Sequence, residues 1–427
     1  MNKLNKILPA LIYIFFIGIF SLSRTFMGIN IFSFRIGEIG ILISFSILVI
    51  SLLFFRSYLK EGIFSKNIFI ILTLLLISFL LIIYFSDGSF LNLYVYKSSS
   101  YIWTIGFLFL GYWFAYFKKI NYKNLSIFVI LLVYIYIFSI FGVSDDIQDF
   151  LLNFSDKFEY HKGSDILIMF VSTFFMFNRS FKNKRIAFEI FLCFSAVYAP
   201  LLLYKSRGAF ISLVLFIILE IWKFRKYFKS TVVRNVILFF LVLFLSLQSI
   251  FIVNKSGFLK LFEVEEKVEF LVTYREVPLE ENKSLIYIYD GRIFSGDGNL
   301  NWRLQIWQDV ITDLIDQNKL LFGYSFNEKI PAMDDPFRAG NDGLNENVHN
   351  FLINIIARGG VFHLFLYVLL MYLFFAKAIR LNGLSFLNFV LPIILTSLLD
   401  ASMENSHFPL IYYFIIGYSI KNKFEPY

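Results

Sequence analysis

Apolar runs separated by short polar joints recur along nearly the whole chain. They lie near residues 7–23, 39–55, 67–85, 101–117, 125–142, 165–178, 186–204, 209–222, 235–253, 360–377, 383–399 and 408–420, the sixth and the last being among the shortest. The runs are continuous, whereas strands of a membrane barrel alternate apolar and polar residues, so the pattern predicts helices. A membrane-crossing helix needs about 17 to 25 mostly apolar residues, which makes this an all-α, polytopic integral membrane protein of about twelve spans. The opening MNKLNKILPALIYIFF has the basic start and apolar core of a signal peptide. No small-x-small cleavage pattern follows it, and it reads as an uncleaved first span.

Lysine and arginine in the short joints set the orientation. RSYLKEGIFSK, KKINYKN, NRSFKNKR and KFRKYFKSTVVRN, after spans two, four, six and eight, are basic and belong in the cytoplasm. The alternate joints SDGSFLNLYVYKSSS and SDDIQDFLLNFSDKFEYHKGSD are poor in positive charge and belong outside. Lys3 and Lys6 at one end, and Lys421 and Lys423 at the other, put both termini inside.

Composition agrees: 58% of residues are hydrophobic, 20% aromatic and only 16% charged, with a mean hydropathy of +0.70. The net charge of +8 follows the topological bias and is no sign of nucleic-acid binding. The lone Cys193 falls in span seven, where it reads as a small buried apolar residue.

One joint is long. The chain divides into residues 1–253 with nine spans, an outer segment 254–347, and residues 348–427 with the last three spans. A segment of that length is far beyond an ordinary connection and predicts a small extramembrane domain. Within it, NWRLQIWQDVITDLIDQNK repeats Leu304, Trp307, Ile311, Leu314 and Ile315 at helical spacing, an amphipathic helix able to lie on the membrane face. LLFGYSF then ends it at Gly323, and AMDDPFRAGNDGLNEN forms a turn-rich loop leading to His349.

No HExxH, paired His/Cys spacing, Walker A or G-x-G-x-x-G occurs, so the sequence predicts no metal and no cofactor. The histidines are His161, His349, His363 and His407. A histidine at a helix start is commonly an interfacial hydrogen-bonding residue, but the surroundings of His349 favour chemistry. Asn347 suits a cap for the following helix, and ARGG lets another backbone approach. Arg207, in YKSRGAFISL, breaks the charge rule by falling in an outer joint; it reads either as a snorkelling anchor or as part of an anion site, with Lys205 beside it. Arg303 has Trp307 one turn later, a stacked surface pair or a second anion contact. The topology puts Arg207, Arg303 and His349 on one side of the membrane. Two arginines suit a pyrophosphate, and a neutral imidazole suits removal of a hydroxyl proton.

HNFLINIIARGG, SRGAFISL and RLQIW with LLFGYSF together resemble the superfamily of O-antigen ligases and O-antigen polymerases. The resemblance covers the layout of spans, both ends inside, and the large loop before the last helices. It departs where a glycine often found three residues beyond Gly360 is His363 here. It implies a GT-C-like architecture in the bacterial cytoplasmic membrane, and inverting, metal-independent glycosyl transfer on the outer face. The implied partners are an undecaprenyl-pyrophosphate-linked glycan donor, a glycan acceptor, the bilayer and a chain-length regulator. His349 would be the base, Arg207 and Arg303 the pyrophosphate ligands, and Lys205, Trp307, Asn350 and Asn347 substrate-binding residues. GNLNWRLQIWQDV and NENVHNF favour a polymerase of lipid-linked repeats over a ligase acting on lipid A core. A transporter of lipid-linked sugars is the third reading, against which stands the lack of an internal repeat.

Overall fold

The computed structural model describes residues 4–54, 65–117, 120, 122–155, 161–225, 232–253, 286–335, 338 and 346–422, apart from positions 33, 87, 91 and 290. A backbone inside a bilayer has no water to bond, so an apolar run satisfies its amides by coiling. Helices occupy every expected run: α1 (Leu4–Gly28), α2 (Ile36–Phe54), α3 (Lys66–Phe85), α6 (Gly106–Phe117), α7 (Tyr122–Phe141), α9 (Gly163–Ser180), α10 (Lys184–Lys205), α11 (Arg207–Lys223), α12 (Val232–Val253), α14 (Phe351–Asn382), α15 (Leu387–Leu399) and α16 (His407–Lys421). Between them come α4 (Leu93–Ser98), α5 (Ser100–Trp103), α8 (Asp145–Leu152) and α13 (Gly298–Asp316). Two antiparallel hairpins complete the described residues, β1 (Asn30–Ile31) with β2 (Phe34–Arg35), and β3 (Tyr287–Tyr289) with β4 (Arg292–Phe294). Among the described residues five helices are long and apolar enough to cross a membrane, and shorter apolar helices accompany them. The protein is an all-α, multi-pass membrane protein.

The bundle is built around α9 and α16, in which nearly every residue is buried. α6 is approached closely from two sides: a Cβ on Gly417 of α16 would lie 1.8 Å from the Leu108 carbonyl oxygen, and one on Gly106 would lie 1.8 Å from the Ser44 carbonyl oxygen of α2. Backbones meet this closely only across glycine, the usual device for helix pairs in a bilayer. At the end of the bundle expected in the cytoplasm, the fully buried Arg179 and Glu220 pair at 3.1 Å, with Asn178 and Asn388 donating to the same carboxylate. A second, smaller core of Ile306, Val310, Leu314, Ile330, Met333, Val348 and Ala357 lies beneath α13.

Several local expectations change. α1 runs on to Gly28 across a break at Ser23, and the outer joint before α6 carries two short helices. α14 begins nine residues before the expected 360, at Phe351, and breaks at Gly360. The buried stripe of α13 is Ile306, Val310 and Leu314, with Trp302 packed against it, and Ile315 is exposed. Of the predicted stripe, Leu314 is in this core and Trp307 packs against it, whereas Ile306 and Val310 are buried in place of Leu304 and Ile311. Of the segment 254–347, residues 254–285 and most of 336–345 lie outside the described residues.

Candidate active site

α13 is capped by Asp297, whose carboxylate accepts from the Leu300 amide at 2.9 Å and also pairs with the Arg207 guanidinium. Arg207 opens α11 after a single extended residue, Ser206, so the whole turn between α10 and α11 is tight. Gly208 follows, and a Cβ there would lie 3.1 Å from that of Leu399, which holds the start of α11 against the end of α15. Arg303, on the first turns of α13, donates to the Leu399 carbonyl. Three elements remote in sequence thus meet at Leu399, and the next residue is Asp400.

Asp400 faces His349. Its Oδ1 is 3.7 Å from Nδ1, longer than a hydrogen bond, and Nδ1 is buried with no hydrogen-bonding partner. Burial works to raise the Asp400 pKa, but the Ser164 hydroxyl, the His349 ring and the Arg303 charge outweigh it and hold the carboxyl below its ordinary value. Burial lowers Arg303 against the opposing carboxylates of Asp400 and Asp297, and a guanidinium remains charged under such shifts. The indole of Trp302 meets the His349 ring edge to face at 5.1 Å. His349 itself has φ 53, a left-handed conformation uncommon for a side-chain-bearing residue. The Arg207 side chain is 59% exposed and that of His349 22%, so the cluster opens to the surface on the arginine side.

The segment behind His349 is fixed by backbone. Gly360, at φ 72, breaks the ladder of α14 and releases two donors and two acceptors. Residues 320–325 supply the missing partners: Val361 and Phe362 amides donate to Leu320 and Leu321, and Tyr324 and Ser325 amides donate to Ala357 and Arg358. Every group the break frees is paired again, as buried backbone requires. A Cβ on Gly360 would lie 2.1 Å from the Leu321 carbonyl oxygen. ARGG and LLFGYSF are therefore the two halves of one clasp.

The other expected residues play different local parts. Asn350, and not Asn347, caps α14, its side chain accepting from the Leu352 and Ile353 amides at 3.0 and 3.1 Å. The Trp307 indole donates to the Val348 carbonyl at 2.7 Å and ties α13 to the residue before the histidine. The electrostatic neighbour of Lys205 is Asp165, which accepts from Ser23 at 2.9 Å and His407 at 2.7 Å in a buried node. His161 donates to the Phe20 carbonyl at 3.0 Å, and burial lowers its pKa to about 4. His363 is fully buried against Ser78, 2.6 Å away. Asp400 and Trp302 escaped the sequence analysis. Asp400 had a signal, a carboxylate closing an apolar span in a joint that the topology puts outside.

Residues 190–368 match the family model of O-antigen ligases. Through this segment the chain is similar to the O-antigen ligases, which supports the resemblance to the superfamily of O-antigen ligases and polymerases. The O-antigen ligase segment contains Arg207, Arg303 and His349, and ends just beyond the Gly360 clasp. The match supports, at the level of the family only, a lipid-linked glycan ligase or polymerase. No curated protein matches the chain.

Proposed function

We propose that the protein polymerises undecaprenyl-pyrophosphate-linked repeat units of a surface polysaccharide on the outer face of the cytoplasmic membrane. The meeting of His349, Asp400, Arg303 and Arg207 at one surface-open point supports this reading most. In the reaction an acceptor hydroxyl oxygen attacks the anomeric carbon of the donor as the bond from that carbon to the pyrophosphate oxygen breaks. The configuration inverts. His349 takes the hydroxyl proton on Nε2, and closing the 3.7 Å gap to Asp400 lets Nδ1 donate to a carboxylate, which favours the imidazolium that forms. The leaving pyrophosphate carries its own negative charge, so it needs cations rather than an acid, and Arg207 and Arg303 supply them. Arg207 exchanges Asp297 for phosphate oxygens when the donor enters. Lipid-linked substrates reach such a site from the bilayer, a chain-length regulator acts on the product, and no cofactor is needed.

A ligase joining the finished glycan to lipid A core uses the same chemistry, and the description of the matching family favours it. The glycans left after gene deletion separate the two. Loss of a polymerase leaves single repeats transferred to their final carrier. Loss of a ligase leaves long chains still on the polyprenyl carrier, and that outcome would replace polymerase by ligase.

A further inference from the structure

Beyond Asp400 the chain makes a short 3-10 turn, Ser402–Glu404, before α16 begins. This turn packs against α5, α14, α15 and α16. It carries polar atoms that nothing among the described residues satisfies. Both carboxylate oxygens of Glu404 are buried without a hydrogen-bond partner, and so is the Ser402 hydroxyl. Two neighbours share the condition. The Tyr101 hydroxyl on α5 and Nε of Arg358 on α14 are also buried and unpartnered. The Arg358 charge acts on both Glu404 and Tyr101, so the guanidinium is near each of them. Its other nitrogens are used, on the Glu328 carbonyl and, at 2.9 Å, on the Tyr94 hydroxyl.

A buried polar group without a partner is destabilising, and native proteins leave few of them. Four residues with open hydrogen-bonding capacity around one point therefore call for an occupant with several hydroxyl groups. Glu404 as a residue keeps partial exposure while its two carboxylate oxygens are buried. Asp400, the neighbour of His349, lies four residues earlier and close enough to influence the Glu404 charge. Tyr94, half-buried and in contact with Arg358 through both its hydroxyl and its ring, adds an aromatic face that suits a sugar.

We propose that Glu404, with Ser402, Tyr101 and Arg358, forms a subsite that binds the hydroxyl groups of the acceptor sugar and presents one of them to His349. The proposal rests on the glycosyl-transfer reading above and adds the acceptor side to it. A carboxylic acid suits the task because, while protonated, it both donates and accepts, as adjacent sugar hydroxyls do. Burial raises the Glu404 pKa to about 8, opposed by Arg358 and Lys97 and assisted by Asp400. Among the described residues the charges bearing on it are thus Arg358 on α14, Lys97 on α4 and Asp400 after α15, while His407 at the head of α16 is engaged by Asp165. Below pH about 8 the acid is intact; above it the donor is lost.

The test uses full-length protein in detergent, the undecaprenyl-pyrophosphate-linked glycan extracted from cells making this polysaccharide as donor, and its free repeat oligosaccharide as acceptor. Two rates are followed, transfer to the acceptor and cleavage of the donor by water. Glu404→Leu should raise the acceptor KM at least tenfold while donor cleavage stays within twofold of wild type. Glu404→Gln, whose amide also donates and accepts, should keep the acceptor KM within threefold. Wild-type acceptor KM should rise above pH about 8, as deprotonation removes the donor hydrogen, and the glutamine variant should show no such rise. A wild-type pH profile identical to that of the glutamine variant overturns the proposal even if the leucine variant fails to fold. So does an unchanged acceptor KM in the leucine variant, or an equal loss of cleavage and transfer, which would mark the hole as a structural water site. Wild-type protein that neither transfers nor cleaves would remove the glycosyl-transfer reading itself, and this inference with it.

Discussion

At the residue scale, His349 carries three separable properties: a ring nitrogen facing Asp400, a ring face against Trp302, and a left-handed backbone. Asparagine is the informative replacement, since it tolerates φ 53 better than most residues and keeps a hydrogen-bonding side chain without a basic nitrogen. His349→Asn should reach the membrane at wild-type level yet lose transfer by about 10² to 10⁴, the usual worth of a positioned base. Near-normal turnover on lipid-linked repeats would mean that the residue orients the acceptor and the base lies elsewhere. The arginines are tested by geometry more than by charge. Arg207→Lys and Arg303→Lys should each lose most activity, because an ammonium does not reproduce the guanidinium fork. Full activity in both would reduce them to anchors of α11 and α13. The three residue types were legible in the sequence because each is a polar exception in an apolar or outer context. Asp400 and Trp302 were not chosen, since an aspartate ending a span and a tryptophan on a helix have ordinary uses that only contact with His349 sets aside.

At the element scale, the break in α14 decides where the histidine stands. Residues 351–359 form a helical segment of their own, capped by Asn350 and clasped at its far end to residues 320–325. Gly360→Ala tests the clasp. At φ 72 and ψ 179 a side-chain-bearing residue is strained by about 1 to 3 kcal/mol, and the added Cβ meets the Leu321 carbonyl as well. The variant should unfold at a lower temperature in detergent and lose transfer; a wild-type melting curve would show that the clasp contributes nothing to stability. The paired glycines showed in the sequence that some backbone comes close. Which backbone it was had no local signal, because the four released groups are matched by a segment more than thirty residues away. α13 shows the same limit from the other side. Its helical period was plain, but a helix with apolar residues on adjacent stripes does not say which stripe faces a core that other elements build.

At the scale of the whole molecule, the arrangement requires the segment 254–347 to lie outside the cytoplasm. A reporter active only outside, fused near position 282, should be active, and a stable but inactive fusion would remove the shared face on which the site depends. Position 282 lies outside the described residues. Hydropathy by itself determined the helical class and the approximate place of each apolar helix, because in a bilayer every buried amide must be paired and an uninterrupted apolar run has one way to pair its own. Charge in the joints gave the expected orientation, and through it the idea that Arg207, Arg303 and His349 share a side. Only the tertiary structure decided that these residues meet at Leu399 and Asp400, that Lys205 stands with Asp165, and that the buried Glu404 carboxylate comes near Arg358. The reason is physical: helix formation depends on neighbours three and four residues away, whereas a site depends on how helix ends from distant parts of the chain pack together.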